Sequence, residues 1–206
     1  MERVKVYKDA GMPQKNGVGV FARIFMEHFP LMPVEEEGRL HDPLIRENFI
    51  DRIFTLKRWV ESVETGKSRA RLVDFHTRHK MLIIAHSEKH ERIMGRMVAQ
   101  GGNRSSLDGD YAQYQALLME ALRLKATPKK NANVLQHMMG YFKQQLSADE
   151  KKELIEIIDQ YRLESLPLIV PVTLIGHYVR KYDQPYLKMQ VYLNPHPLDL
   201  QMRNHV

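Results

Sequence analysis

The stretch DFHTRHKMLIIAHS, residues 74–87, sets three histidines, an arginine and a lysine into an otherwise apolar run. At about 100° per residue on a helix, His76, His79 and His86 fall in the same arc as Leu72, Phe75, Leu82 and Ile83. Read as a helix, the segment points three ionisable rings inward. A metal site, a nucleic-acid pocket and a hydrogen-bonded core are the chemistries that put such rings on a buried stripe.

Helical signals continue on both sides. Asp42 caps a helix whose first position is Pro43 and which ends near Val63. Glu64-Thr65-Gly66 closes it, and Ser68 caps the histidine helix over 69–87. A shorter helix, 88–99, ends at Gln100-Gly101-Gly102, before the flexible loop GGNRSSLDGD. Tyr111 to Ala126 repeats at helical spacing, and Thr127-Pro128 opens the next helix, PKKNANVLQHMMGYFKQQL. Ser147 and Glu150 form a capping box for ADEKKELIEIIDQYRL. Pro167 begins a helix through about Tyr182, and PYLKMQVYL and PLDLQM read as two closing helical turns. The expectation is a mainly α, bundle-like domain of seven or eight helices, with no strand after residue 40.

The first third differs. ERVKVY alternates like a short strand, GVGVFARIFMEHF (17–29) reads as a helix, and LMPVEEE (31–37) reads as a second strand. Together they predict a βαβ unit with parallel pairing. Two parallel strands cannot cover both their faces, so the unit reads as a remnant of a larger α/β domain. Alone it would be disordered, or would pair with another copy of the chain as a homo-oligomer. The division predicted is a remnant plus connecting helix over 1–66 and an all-α domain over 67–206.

Among 206 residues there is no cysteine, which excludes disulfides, thiolate nucleophiles and iron–sulfur ligation by this chain. No apolar run approaches a membrane span, and the N-terminus lacks a signal-peptide core. A cytoplasmic, non-membrane protein is the expectation. The net charge of +6 is unevenly spread: residues 1–66 carry 10 Lys/Arg against 11 Asp/Glu, whereas 67–206 carry 21 against 14. A basic second part favours a polyanionic partner.

Beyond the first three histidines, helical contexts also hold His137 and His177. His76 and His79 lack the carboxylate companions of bundle metal centres, so the sequence assigns no metal and favours hydrogen-bonded or pocket-lining rings. Cations gather in three places: Lys67, Arg69 and Arg71; Arg123, Lys125, Lys129 and Lys130; Arg180, Lys181 and Lys188. The last set is interleaved with Tyr178, Tyr182, Tyr186 and Tyr192, which is chemistry for holding phosphates and stacking bases. It is also the pattern of a solvated face over packed tyrosines. Asn131, Asn133 and Gln136 precede His137 near a helix N-terminus, where amides read a phosphate or bridge helices. GVGVFA continues to neither GxGxxG nor a Walker pattern, and GxSxG is absent. The three carboxylates of PVEEEGRL read as a catalytic edge or a solvated turn.

FHTRHKMLIIAHS, NVLQHMMGYFK, LPLIVPVTLIGHYVRKY and QVYLNPHPLDLQMRN closely resemble the YbgA-like domain, a bacterial domain of unknown function, over about residues 68–206. The segments ERVKVY, GVGVFA and FPLMPVEEEGRLHDPLIRENFIDRIF resemble the C-terminal end of the thiouracil-desulfidase family, often fused upstream of a YbgA-like domain. Such fusions are implicated in removing sulfur from 4-thiouridine in RNA. That family holds a four-iron cluster on three cysteines, the last in a Ser-Pro-Ser-Cys-Gly stretch just before the position of Glu2. The resemblance therefore implies a truncated fusion whose cluster and catalytic residues belong to a missing upstream domain, and a chain that does not desulfurise thiouracil alone. It implies an accessory domain that binds RNA, with tRNA the expected target. Phosphates would meet Arg69, Arg71, Lys129, Lys130, Arg180 and Lys181; a pocket would be lined by His76, Arg78, Lys80, His86, Asn133, His137 and His177. The alternatives from other classes are a small-molecule or metal-dependent enzyme acting on a nucleotide or phosphorylated ligand, and a structural interaction domain.

Overall fold

The computed structural model describes residues 6–7, 11, 13–14, 19–100, 106–195 and 203. Two short strands, β1 (Val6–Tyr7) and β2 (Pro13–Gln14), pair antiparallel, with Val6 opposite Gln14 and Tyr7 opposite Pro13. Eight helices follow among the described residues: α1 (Val20–His28), α2 (Pro43–Glu64), α3 (Arg69–Ala99), α4 (Leu107–Leu122), α5 (Pro128–Gly140), α6 (Ala148–Arg162), α7 (Ile169–Lys181) and α8 (Pro185–Lys188). Among the described residues the expected helical domain is present and no βαβ unit forms; most of ERVKVY and the start of the 17–29 segment lie outside the described residues. Residues 31–36 form no strand and run into a 3-10 turn at Glu37–His41. Pro30 and Pro33 offer no N–H to a ladder. Glu35 pairs with Arg39 one turn on, at 2.5 Å, which spends the acidic run locally. α1 buries no residue; Phe21 stacks on Phe25, which meets Phe29 at a tilt. The segment PLDLQM lies outside the described residues.

Caps fall where the sequence places them. Asp42 Oδ1 accepts from Leu44 and Ile45 N–H, Ser68 Oγ from Arg71 N–H, and Ser147 with Glu150 forms the full capping box. Each such cap contributes about 1 kcal/mol. α4 begins at Leu107, capped by Ser106, and stops four residues before Ala126.

α3 decides the architecture. At Ser87 the backbone is extended (φ −160°, ψ 104°), and Ser87 Oγ accepts from the His90 N–H at 3.4 Å as a new cap. The break divides α3 where the sequence separates 69–87 from 88–99. It is more than a bend. Nineteen residues of straight helix span roughly 28 Å, yet a Cβ on Gly95 would lie 3.4 Å from His76 Nε2. The two arms therefore fold back side by side. α4 and α5 pack against them, α6 packs on α5, and α7 closes on both. Ile83, Met94, Leu118, Leu122, Leu135, Met138, Phe142 and Leu154 fill the fully buried core. Trp59 of α2 stacks on Tyr114 at 5.1 Å and meets Phe75 edge-on.

Candidate functional site

The fold-back gives α3 a cleft of about 780 Å³ between its arms, lined by His76, Thr77, Lys80, Glu91, Arg92, Gly95, Arg96 and Tyr186. The volume is within the usual range for ligand sites. His76 sits on the floor, 7% exposed. Its Nδ1 is 3.1 Å from the buried Tyr114 hydroxyl, and its Nε2 is 3.9 Å from Glu91 Oε1. Lys80 Nζ reaches the same carboxylate oxygen at 3.5 Å. Burial, aided by the Lys80 charge, lowers the His76 pKa to about 4, so the ring is neutral at pH 7. Arg92 pairs with Glu88 on the solvent side, and Arg96 Nε donates to the Arg92 carbonyl. Arg96 meets no carboxylate among the described residues. The lining thus carries three cations against one acid.

Tyr186 enters from α8, stacked on Tyr141 at 5.0 Å, and burial pushes its phenol pKa up. Gln190 fixes this wall. Fully buried, it donates from Nε2 to the Thr77 carbonyl (2.8 Å) and accepts at Oε1 from the Met81 N–H (3.3 Å). Those are the two groups an α-helix pairs directly. Val191 N–H donates to the Arg78 carbonyl beside them. The segment after α8 is therefore stitched to the α3 turn that carries Thr77 and Lys80.

The sequence-derived pocket is dispersed. His76 and Lys80 line the cleft, but His86 is fully buried in a different place. Its Nδ1–H donates to the Leu124 carbonyl at 2.7 Å, and Nε2 faces Asp51 Oδ2 at 3.3 Å. His79 donates to its own helix at Phe75 O and stacks on the Phe75 ring, and burial lowers its pKa to about 4. The inward arc of the three histidines is thus as read, but they serve three environments. Arg78 points outward to Asp74 at 2.8 Å. His137 and His177 are exposed, because their helices turn Met138 and Tyr178 to the core instead. Asn133 lies in a separate groove of about 580 Å³ with Lys129, Lys130, Gln136, Glu88, Asp159 and Arg162.

The phosphate candidates are also partly committed. Arg69 pairs with Asp110, and Arg71 reaches the Thr65 hydroxyl. Lys130 Nζ donates to the carbonyls of His86 and Lys125 (2.7 and 2.8 Å), and burial lowers its pKa. Lys181 donates to Glu150 Oε1 at 2.6 Å, the largest influence holding that carboxyl at about 2. Lys129 and Arg180 are exposed and form no ion pair among the described residues. Nothing in the local sequence pattern marks Glu91, Arg92, Gly95 and Arg96 as a site. Only a fold-back at Ser87 brings them opposite His76, and the capping serine was the available signal.

Among the described residues no three of His, Asp and Glu gather as a metal-ligand set, and no helix is long and apolar enough to cross a membrane. With no cysteine, the chain's own residues do not fit an iron–sulfur cluster.

The fold and the cleft define an all-helical domain with a cationic, aromatic-flanked cleft. The chain belongs to the family "Protein of unknown function (DUF1722)", whose model matches residues 80–197, from Lys80 on one arm of the cleft through Tyr186. It is 34% identical over 153 residues to the "Uncharacterized protein YbgA" of Escherichia coli (strain K12), covering 74% of this chain and 90% of that relative. No solved structure matches the chain.

Proposed function

We propose that this domain binds structured RNA, with tRNA as the target, and serves as the accessory half of a thiouridine-desulfidase type of protein. The observation that carries the RNA reading is the cleft lining: Lys80, Arg92 and Arg96 against the single carboxylate of Glu91, with Tyr186 alongside. Cations fix phosphates, and an aromatic ring stacks a base. The basic excess of residues 67–206, with Lys129 and Arg180 uncommitted, extends the electrostatic footprint beyond the cleft. The association with a desulfidase rests on the resemblance within residues 1–66, the domain remnant plus connecting helix of the proposed two-part division. The sulfur chemistry would belong to the associated domain, in the cytoplasm where tRNA resides.

A salt titration of tRNA binding tests the reading. The affinity should fall linearly on a logarithmic salt scale, with a slope near −0.9 per neutralised phosphate. Salt-independent or absent binding would remove it. The size of the cleft, about 780 Å³, favours a second reading, a phosphorylated small molecule held by the same cations; tight binding of a mononucleotide without any affinity for tRNA would select it.

A further inference from the structure

We propose that the cleft between the arms of α3 seats one unpaired nucleotide of the RNA, reading its base edge with His76 and Glu91 while the rim cations hold its phosphate; the proposal rests on the RNA reading above. Three independent features converge on it. The first is the hydrogen-bond polarity of the floor. The Tyr114 hydroxyl, fully buried, requires an acceptor for its proton, and His76 Nδ1 lies 3.1 Å away. That leaves the ring proton on Nε2, the atom that faces Glu91. The floor therefore presents a neutral N–H donor beside a carboxylate acceptor, 3.9 Å apart. Every nucleobase carries an acceptor next to a donor on its Watson–Crick edge, and only an unpaired base exposes that edge.

The second feature is shape. The floor is closed by contacts between the two arms, with Gly95 against His76. A cleft of about 780 Å³ above such a floor has room for one nucleotide. The third is the arrangement of charge and ring at the rim. Arg96 is exposed and without a carboxylate partner among the described residues, Arg92 lies one turn before it, and Tyr186 forms the side wall against Tyr141. Phosphate outside, ring beside and donor–acceptor pair beneath is the order of parts in a nucleotide.

The experiment compares two RNAs by fluorescence anisotropy: a blunt, fully paired duplex, and the same duplex carrying one unpaired nucleotide. The bulged RNA should bind about tenfold more tightly, the scale of one stacked and hydrogen-bonded base. Gly95→Leu, a helix-compatible residue that projects into the cleft, should abolish the preference. Glu91→Gln keeps the shape and should weaken the preference by itself, so the test survives if Gly95→Leu fails to fold. Equal affinity for the two RNAs overturns the nucleotide pocket and leaves phosphate-driven RNA binding standing. A preference that persists in both variants places the unpaired nucleotide elsewhere and overturns the proposal. Absence of binding to either RNA and to tRNA removes the RNA reading itself.

Discussion

His86 and His76 stand on the same face of the same helix, ten residues apart, and each meets a carboxylate, yet their surroundings are opposite. Around His86 the helices close completely. Asn48 donates to the Leu122 carbonyl, Lys130 caps the His86 carbonyl, and the neighbouring chain Tyr192–Asn131–Tyr161 is linked by 3.0 Å hydrogen bonds. Arg203 donates to the Tyr192 carbonyl and lies over its ring. Around His76 one side is equally tight, at Tyr114, but the other opens into the cleft. Histidine, carboxylate and lysine occur in both. Enclosure separates a group that holds helices together from one that can meet a ligand.

The largest expected effect tests that contrast. His86→Ala should cost about 2 to 4 kcal/mol in denaturant unfolding, because it removes the bond to the Leu124 carbonyl and leaves a cavity at a fully buried position. His76→Ala should cost only about 1 to 2 kcal/mol, through the lost Tyr114 hydrogen bond. Equal losses would erase the distinction between the sealed and the open site.

Acid should then probe both together. His76 and His79 are held at about 4 in the fold, chiefly by burial, against an ordinary value of 6.5. Below pH 6.5 the unfolded chain takes up protons that the fold refuses, so stability falls as pH drops from 6.5 toward 4. Each ring contributes a loss of about 2 kcal/mol by pH 5. Glu47, beside Asp51, acts in the opposite sense: burial first, then the Asp51 charge, raises it to about 7 from 4.5. The fold keeps its proton where the unfolded chain releases it, so its contribution is present in acid and lost as pH rises through 7. Thermal melts should therefore show wild type weaker at pH 5 than at pH 7, and Glu47→Gln should steepen that decline. A Glu47→Gln profile that parallels wild type would show that this carboxyl does not offset the histidines.

Much of this architecture is legible in the residues, and the limit is physical. Caps announce themselves locally: Asp42-Pro43, Ser68, Thr127-Pro128 and the Ser147/Glu150 box each satisfy orphan amides within one turn, so sequence suffices. The inward arc of His76, His79 and His86 follows from periodicity for the same reason. Periodicity cannot say that α3 reverses at Ser87, so Glu91, Gly95 and Arg96 stay hidden, although the serine marks the break. Nor does it tell which face of α5 or α7 the neighbours cover, and His137 and His177 fall on the outer one. At the N-terminal side the cause is local: the apolar run of LMPVEEE imitates a strand, while Pro33 and the Glu35–Arg39 pair favour a turn.

The smallest effect on stability sharpens the comparison most directly on function. Arg96 is exposed, its Nε bonded only to the Arg92 carbonyl one turn back, so Arg96→Ala should change unfolding free energy by less than about 0.5 kcal/mol. If the cleft holds a phosphate, the same change should reduce the salt slope of tRNA binding by about 1. Lys130→Ala supplies the contrasting case. Its ammonium is spent on the His86 and Lys125 carbonyls, so the loss should appear in stability, with the slope nearly unchanged. A slope that responds to Lys130 and ignores Arg96 would move the RNA from the cleft to the α5 groove with Lys129 and Asn133, and would reverse the roles assigned to the open and sealed ends of α3.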